Sequence, residues 1–217
     1  MRFFKPSVFL LLLCCILLGC NRSPKSTAEV PTVLSHAYSV SVAPFTQPRV
    51  PSDLIMGNLP EPQGLIEDKD LLLLDSALKH VLTDKAKART FVFLTDPLEG
   101  HGTQLHVGSQ PEALSKWLAY GKAHKADLLL VPQVLDWHER EGSRAGVTAS
   151  AHVRIAFYLL NISHGTVMNR SIFEEKQAAL TENFLTIGSF LKRRGQWVQA
   201  TDLAIEGMHK AKNEFGL

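Results

Sequence analysis

Residues 147–160, VTASAHVRIAFYLL, decide the fold because they alternate more regularly than any other stretch of the chain. The odd positions from Val147 to Leu159 are all apolar, whereas the first four even positions are polar. A period of two predicts an antiparallel strand with one face in the core and the other in water. The strand becomes apolar on both faces as it ends, at Tyr158 and Leu160, so we expect its end to lie inside the protein.

The segments on either side of this strand predict two more strands. Residues 161–165 form a tight turn that leads into a strand over 166–176. On the other side, a strand opens at Ala126, runs to about Trp137 and is followed by a turn region over 139–146. Three consecutive strands of this kind predict an antiparallel meander.

The rest of the chain predicts helices and short strands. The expected elements are a strand at 37–45, a helix at 68–87, a strand at 90–94, a helix from about 111 to 125, and helices at about 181–194 and 198–215. This order predicts an α/β fold in which a mixed sheet of about five strands is packed with helices. We expect one domain, over residues 36–217.

The amino terminus has the layout of a secretory signal. Arg2 and Lys5 precede eleven consecutive apolar residues, Val8 to Leu18. A transmembrane helix needs about 20 apolar residues, so this run is too short to span a bilayer. Residues 1–19 are therefore predicted to be a signal peptide.

The end of this run, Leu17-Leu18-Gly19-Cys20, resembles the lipobox of bacterial lipoproteins. The resemblance implies cleavage after Gly19 and lipid attachment to Cys20, with a membrane as the partner of that lipid. Several acyl chains on one residue hold a protein essentially permanently. Cys20 would be the only cysteine left, which excludes a disulfide within one mature chain.

Residues 20–35 comprise the lipidated cysteine and a polar, proline-containing segment that predicts a flexible tether. By resemblance to the sorting rule of enterobacterial lipoproteins, Asn21 favours the outer membrane over the inner one. We expect the domain to face the periplasm.

Charge argues against nucleic acid as a partner. The full chain has a formal charge of +2, but loss of residues 1–19 leaves 21 of the 23 basic residues beside 21 acidic ones. A neutral domain lacks the basic footprint that nucleic-acid binding requires.

Three motifs resemble a group of bacterial periplasmic lipoprotein domains. The motifs are the strand at 125–132 (KADLLLVP), the hairpin at 157–166 (FYLLNISHGT) and the segment at 173–177 (FEEKQ). The group includes the curli secretion lipoprotein, the penicillin-binding-protein activator lipoproteins and the N-terminal domain of the Tol translocation protein. The resemblance implies this fold and a role in the cell envelope. This chain departs from the group in two places. Asn161 replaces the usual Asp of the hairpin. The connections at 138–146 and 161–165 are too short to hold the membrane-crossing hairpins of the pore-forming members, so we expect no pore.

Motifs for catalysis, cofactors and metals are missing from the sequence, so we expect neither an enzyme, nor a cofactor, nor a metal site. The stretch from His138 to Gly142 begins like a zinc-protease signature, but its second histidine is replaced by glycine. His101 and His106 lie in a glycine-rich loop without enough converging ligands.

The chain contains three tryptophans, and each is a candidate for a core or a binding role. Trp117 and Trp197 are expected to be structural. Trp137 lies at a strand end among charged residues, and it is either a cap over the sheet or an anchor for a partner. The Lys192 to Arg194 run is expected to stabilise a helix C-terminus, with anionic lipid as an alternative ligand.

The sequence therefore predicts a lipid-anchored, non-enzymatic lipoprotein that binds another envelope protein as an activator, adaptor or assembly subunit. The alternative is a ring-forming component of an export or secretion apparatus, which would make the chain a homo-oligomer.

Overall fold

A computed structural model describes residues 38–84, 89–98, 111–142, 147–176 and 199–217. The strands in these residues are β1 Val40–Val42, β2 Phe91–Phe93, β3 Leu128–His138, β4 Glu141–Gly142, β5 Val147–Ala149, β6 His152–Asn161 and β7 Thr166–Lys176. The helices are α1 Asp68–Thr83, α2 Ala113–Ala123 and α3 Ala200–Phe215, with a turn of 3-10 helix at Pro51–Asp53. None of the helices in this part of the chain is both long and apolar enough to cross a bilayer.

Five strands form one mixed sheet in the order β2, β1, β3, β6, β7. β1 lies parallel to both β2 and β3, whereas β3, β6 and β7 pair antiparallel in chain order. β4 and β5 form a separate two-stranded ladder. The predicted α/β fold, with about five strands in a mixed sheet and helices packed on it, is confirmed.

Several predicted elements differ from the structure. The strand expected at 37–45 is confined to Val40–Val42, and β4 lies within the turn region expected at 139–146. The alternating stretch that begins at Val147 is divided, because β5 pairs with β4 while β6 starts at His152. The sequence TFVFL at 90–94 is typical of a buried strand, yet β2 is only partly buried, because it lies at the edge of the sheet that the described residues form. The helix predicted over 181–194 lies outside the described residues.

The sheet separates two apolar cores. On one side, which we call the α1/α3 face, Leu74 and Leu78 of α1 and Met208 and Phe215 of α3 pack against the strands. On the opposite α2 face, the buried side chains include Trp117 of α2 and, from the segment before α1, Leu54 and Ile55. Strands that are buried on both sides read as nearly continuous apolar runs, which explains the sequence LLLV in β3.

A β-bulge in β3 changes which side chains face each core. Val134 pairs with Ile155 and Asp136 pairs with Arg154, so Leu135 is the extra residue. Before the bulge, even-numbered residues of β3 face the α1/α3 core, as Leu128 and Leu130 do. After it the odd-numbered Trp137 does so. A bulge re-aims side chains in this way, so Asp136 and His138 face the α2 side of the sheet.

Candidate functional site

The bulge gathers three polar side chains at one end of the sheet. His138 is paired with His152 of β6, and Asp136 lies two residues before His138. His152 faces the same side as Ala156 and Tyr158, which belong to the α2-face core. Asp136, His138 and His152, which we call the end cluster, therefore converge on the α2 side.

Asp136 is the centre of the end cluster. Its side chain is 5% exposed, and its two oxygens lie 3.2 Å from Nε2 of His138 and 3.1 Å from Nδ1 of His152. The backbone N–H of Gly64 donates to Oδ1 of Asp136 at 2.6 Å. A buried carboxylate needs partners of this kind, because an uncompensated charge in the interior is costly.

β7 adds a second carboxylate at the rim. Oε1 of Glu174 lies 3.5 Å from Nε2 of His152, and its other oxygen lies 3.5 Å from Nε of Arg154. The rings of His138 and His152 are nearly parallel, with an angle of 13° and centroids 5.9 Å apart. His152 thus lies between a buried and a half-exposed carboxylate.

A cleft of about 330 Å³ opens beside the end cluster. Its lining includes His138, which is 48% exposed, and four acidic residues: Glu67, Asp70, Glu139 and Glu141. The cleft therefore presents negative charge next to an accessible imidazole.

The end cluster contains the donor atoms of a metal site. Asp136, His138 and His152 each offer one ligand atom, and these atoms all lie within 4.8 Å of one another. Two imidazole nitrogens and a carboxylate oxygen are a donor set that zinc and similar ions accept.

The side chain of Trp137 lies inside the protein. It is 3% exposed and belongs to the α1/α3 core. Its indole N–H donates to Oε1 of Glu139 at 3.0 Å, and Oε2 of Glu139 accepts from the N–H of Ala200 at 3.4 Å. Of the two interpretations of Trp137, this geometry matches the cap over the sheet, because the ring is not available to a partner.

The other sequence candidates divide between the core and the part of the chain that is not described. Trp117 is fully buried, as predicted. Outside the described residues lie Cys20, His101, His106, Trp197 and the run 192–194.

A second polar cluster joins the segment after β2 to α2. The Tyr120 hydroxyl donates to the backbone carbonyl of Asp96 at 2.7 Å, and burial, with the Asp96 charge, raises the pKa of Tyr120 to about 12. The pKa of His124 is raised, first by its hydrogen bond with the Tyr120 carbonyl and then by that with Asp96. These groups fasten the segment to the helix.

β7 is the outermost strand at its side of the described sheet. Towards its end, Lys210 of α3 donates to the carbonyl of Ile172 at 3.1 Å, and Ser171 contacts Glu214. Its first half has a different environment: Thr166, Met168, Asn169 and Arg170 are exposed. Met168 is 45% exposed, which is high for a large apolar side chain in a strand.

The end cluster was not predicted from the sequence. Along the chain, His138 has Gly142 at the position of a second ligand, and nothing local pairs His138 with His152. The usable signal was Asp136, a carboxylate within a mostly apolar strand. The cross-strand register that brings Asp136 close to His152 depends on the bulge, and no local sequence pattern predicts that bulge.

Fold and site together define a single α/β domain with a mixed five-stranded sheet, whose end carries a buried carboxylate between two histidines. No protein-family model matches the chain, and no curated protein matches it either.

Several solved structures are similar in fold. The PelC dodecamer from Paraburkholderia phytofirmans is 14% identical, with a TM-score of 0.47 over 86% of this chain and 92% of that one. Lipoprotein GNA1162 from Neisseria meningitidis is 8% identical, with a TM-score of 0.36 over 73% and 98%. The LpoB C-terminal domain from Salmonella enterica is 15% identical, with a TM-score of 0.34 over 64% and 84%. Likenesses of this size assign neither a family nor a function to the chain.

Proposed function

We propose that this chain is a lipid-anchored protein of the bacterial cell envelope that binds another envelope protein and catalyses no reaction. The observation that carries the proposal is the amino-terminal sequence, in which a charged start and eleven apolar residues lead to Gly19-Cys20. Lipid on Cys20 would hold the domain at the periplasmic face of the outer membrane, with Asn21 as the sorting residue.

The first half of β7 supports a binding role. An exposed edge strand presents unpaired N–H and C=O groups that can pair with another chain. Met168 offers an apolar contact beside those groups. The guanidinium of Arg170 lies 5.6 Å from the centre of the Tyr158 ring, and this contact holds the Arg170 side chain against the sheet. We therefore place the partner contact at residues 166–170, in preference to the buried Trp137.

Anchoring is tested by changing the lipid attachment residue. With Cys20→Ala, we expect incorporation of radiolabelled palmitate to be lost and the protein to leave the outer-membrane fraction of lysed cells. Cys15→Ala is the matched control, because Cys15 lies in the predicted signal peptide, and it should leave labelling of the mature protein unchanged. Palmitate labelling that survives Cys20→Ala would refute the anchor.

The binding role is tested by photocrosslinking in intact cells. A photoreactive amino acid at position 168 should give a discrete product with another envelope protein. The same probe at position 209, exposed on α3, should not give this product. A product that contains only a second copy of this chain would favour the ring-forming alternative. Labelling of lipid alone, or of nothing, at position 168 would contradict a protein contact at this edge.

Size measurement separates the two roles. The full chain, purified in detergent, should behave as a monomer by light scattering if it is an adaptor, whereas a ring component should form a defined oligomer under the same conditions.

A further inference from the structure

We propose that the end cluster binds a divalent transition-metal ion of the zinc type, with Asp136, His138 and His152 as its protein ligands.

The distances within the end cluster fit such an ion. Zinc binds imidazole nitrogen at about 2.0–2.1 Å and carboxylate oxygen at about 2.0–2.2 Å, so neighbouring ligand atoms of a tetrahedral site lie about 3.3 Å apart. The Asp136 oxygens lie 3.2 Å from Nε2 of His138 and 3.1 Å from Nδ1 of His152. These two contacts use different oxygens of Asp136, and the three ligand atoms lie within 4.8 Å of one another, so the side chains would have to turn toward a common point to hold an ion.

The donor types select among metals. Mg²⁺ and Ca²⁺ prefer sites made of oxygen, whereas two imidazoles and one carboxylate suit zinc and its neighbours in the first transition row. With both imidazoles neutral, the end cluster carries the single negative charge of Asp136, and Gly64 contributes one N–H to it. A dication would compensate that charge.

Glu174 provides the outer support that a histidine ligand usually has. A ligating histidine commonly directs its other ring nitrogen to a carboxylate, which fixes the tautomer and the ring. Nε2 of His152 lies 3.5 Å from Glu174, while Nδ1 is directed to Asp136. When Nε2 carries the proton, a lone pair of Nδ1 faces a carboxylate oxygen at 3.1 Å, and a cation between them relieves the repulsion.

The cleft gives the ion a route to the site. His138 is half exposed and lines the cleft together with Glu67, Asp70 and Glu141, whose negative charge attracts cations. Three protein ligands on one side leave a fourth position open toward water or a ligand.

The test uses the full-length chain purified in detergent, stripped with a chelator and titrated with Zn²⁺ by calorimetry. We expect one zinc ion per chain, retained through gel filtration and detected by elemental analysis. His138→Ala and His152→Ala should each weaken binding at least about tenfold. His209→Ala is the matched control, because His209 is exposed on α3, and it should bind like the wild type.

Thermal unfolding gives a second readout. Zinc that binds the native end cluster should raise the melting temperature of the wild type and of His209→Ala, and should not raise that of His138→Ala. Circular dichroism of the metal-free proteins verifies that each variant is folded. Since His138 is half exposed, His138→Ala decides the question even if His152→Ala does not fold.

Two results would overturn the proposal. One is zinc affinity that is the same, or equally absent, in the wild type and in His138→Ala, which would leave the end cluster as a hydrogen-bonded group only. The other is loss of binding in the double variant His101→Ala/His106→Ala while His138→Ala still binds, which would place the metal elsewhere.

Discussion

At the scale of single residues, Gly64 shows how closely the chain packs against the end of β3. A Cβ atom on Gly64 would lie 2.2 Å from the carbonyl oxygen of Trp137 and 2.7 Å from Nε2 of His138. Both distances are far below van der Waals contact, and the nearer atom belongs to backbone that cannot rotate away. Only glycine fits here, and its N–H is then free to reach Asp136.

We therefore expect Gly64→Ala to lower the free energy of unfolding by about 2 kcal/mol or more, since overpacking forces the backbone apart. Chemical denaturation followed by tryptophan fluorescence measures the loss. Leu65→Ala is the control, because Leu65 is 55% exposed and should change stability by less than about 0.5 kcal/mol. Equal stability of Gly64→Ala and the wild type would show that the loop before α1 can move away from β3.

Asp75 is a second residue whose environment changes the stability of the protein, here in a way that depends on pH. It lies on α1, accepts the N–H of Phe45 at 2.7 Å, and burial raises its pKa from 3.8 to about 6. The folded state therefore holds the proton more tightly than the unfolded state, and stability from this residue falls as the pH rises from about 4 to about 6.

Asp75→Asn keeps an oxygen for the Phe45 N–H but carries no charge. Its stability should be close to that of the wild type at pH 4 and greater at pH 7, by about 1–2 kcal/mol once solvent screening is allowed for. Thermal melts at pH 4, 5, 6 and 7 measure the difference. A difference that stays constant across this range would show that Asp75 titrates normally.

At the scale of elements, the strands show what sequence patterns can predict. β7 begins and ends at the predicted residues, Thr166 and Lys176, because a tight turn and period-two alternation are local signals. The division between β5 and β6 was missed, because pairing of β5 with β4 is a contact between two separate segments and leaves no signal within either one.

The bulge in β3 limited the prediction of the site. Strict alternation over 126–137 would place Asp136 in the α1/α3 core and Trp137 on the opposite side. The extra residue Leu135 reverses both orientations. The Trp137 ring therefore enters the α1/α3 core, and the Asp136 carboxylate lies beside the two histidines. Sequence reasoning could identify Trp137 as unusual, but it could not say which way the ring faced.

Glu139 links β3 to α3 through two hydrogen bonds, and the contribution of this link to stability can be tested. It accepts from the Trp137 indole and from the N–H of Ala200, the first residue of α3. Glu139→Ala should reduce the free energy of unfolding by about 1 kcal/mol, because the indole N–H and the helix N-terminus lose an acceptor. Glu139→Gln should lose less, since one oxygen remains. Glu141→Ala, exposed on β4, is the control in the same denaturation experiment, and a loss equal to that of Glu139→Ala would contradict the link.

At the scale of the whole molecule, the fold class followed from the sequence because the order of elements is a global pattern that survives local errors. The apolar run at β3 predicted a strand, the alternation at β6 predicted a strand that is apolar on both faces only where it ends, and the stripe on α1 predicted a helix with one apolar face. The exposed half of β7, where we propose that a partner binds, did not follow, since the outermost strand of the described sheet is decided by pairings far apart in the chain.

The position of β1 between β2 and β3 has a consequence for the order of folding. β1 comes first in the chain, yet Val40 pairs with Phe91 on one side and with Leu128 on the other, so its hydrogen bonds close the longest loops in the sheet. Closing long loops is slow, whereas β6 and β7 meet across a four-residue turn. A chain emerging amino terminus first would expose β1 early and pair it late. A strand inside the finished sheet, enclosed between β2 and β3, would thus have to wait for the synthesis of both of its neighbours.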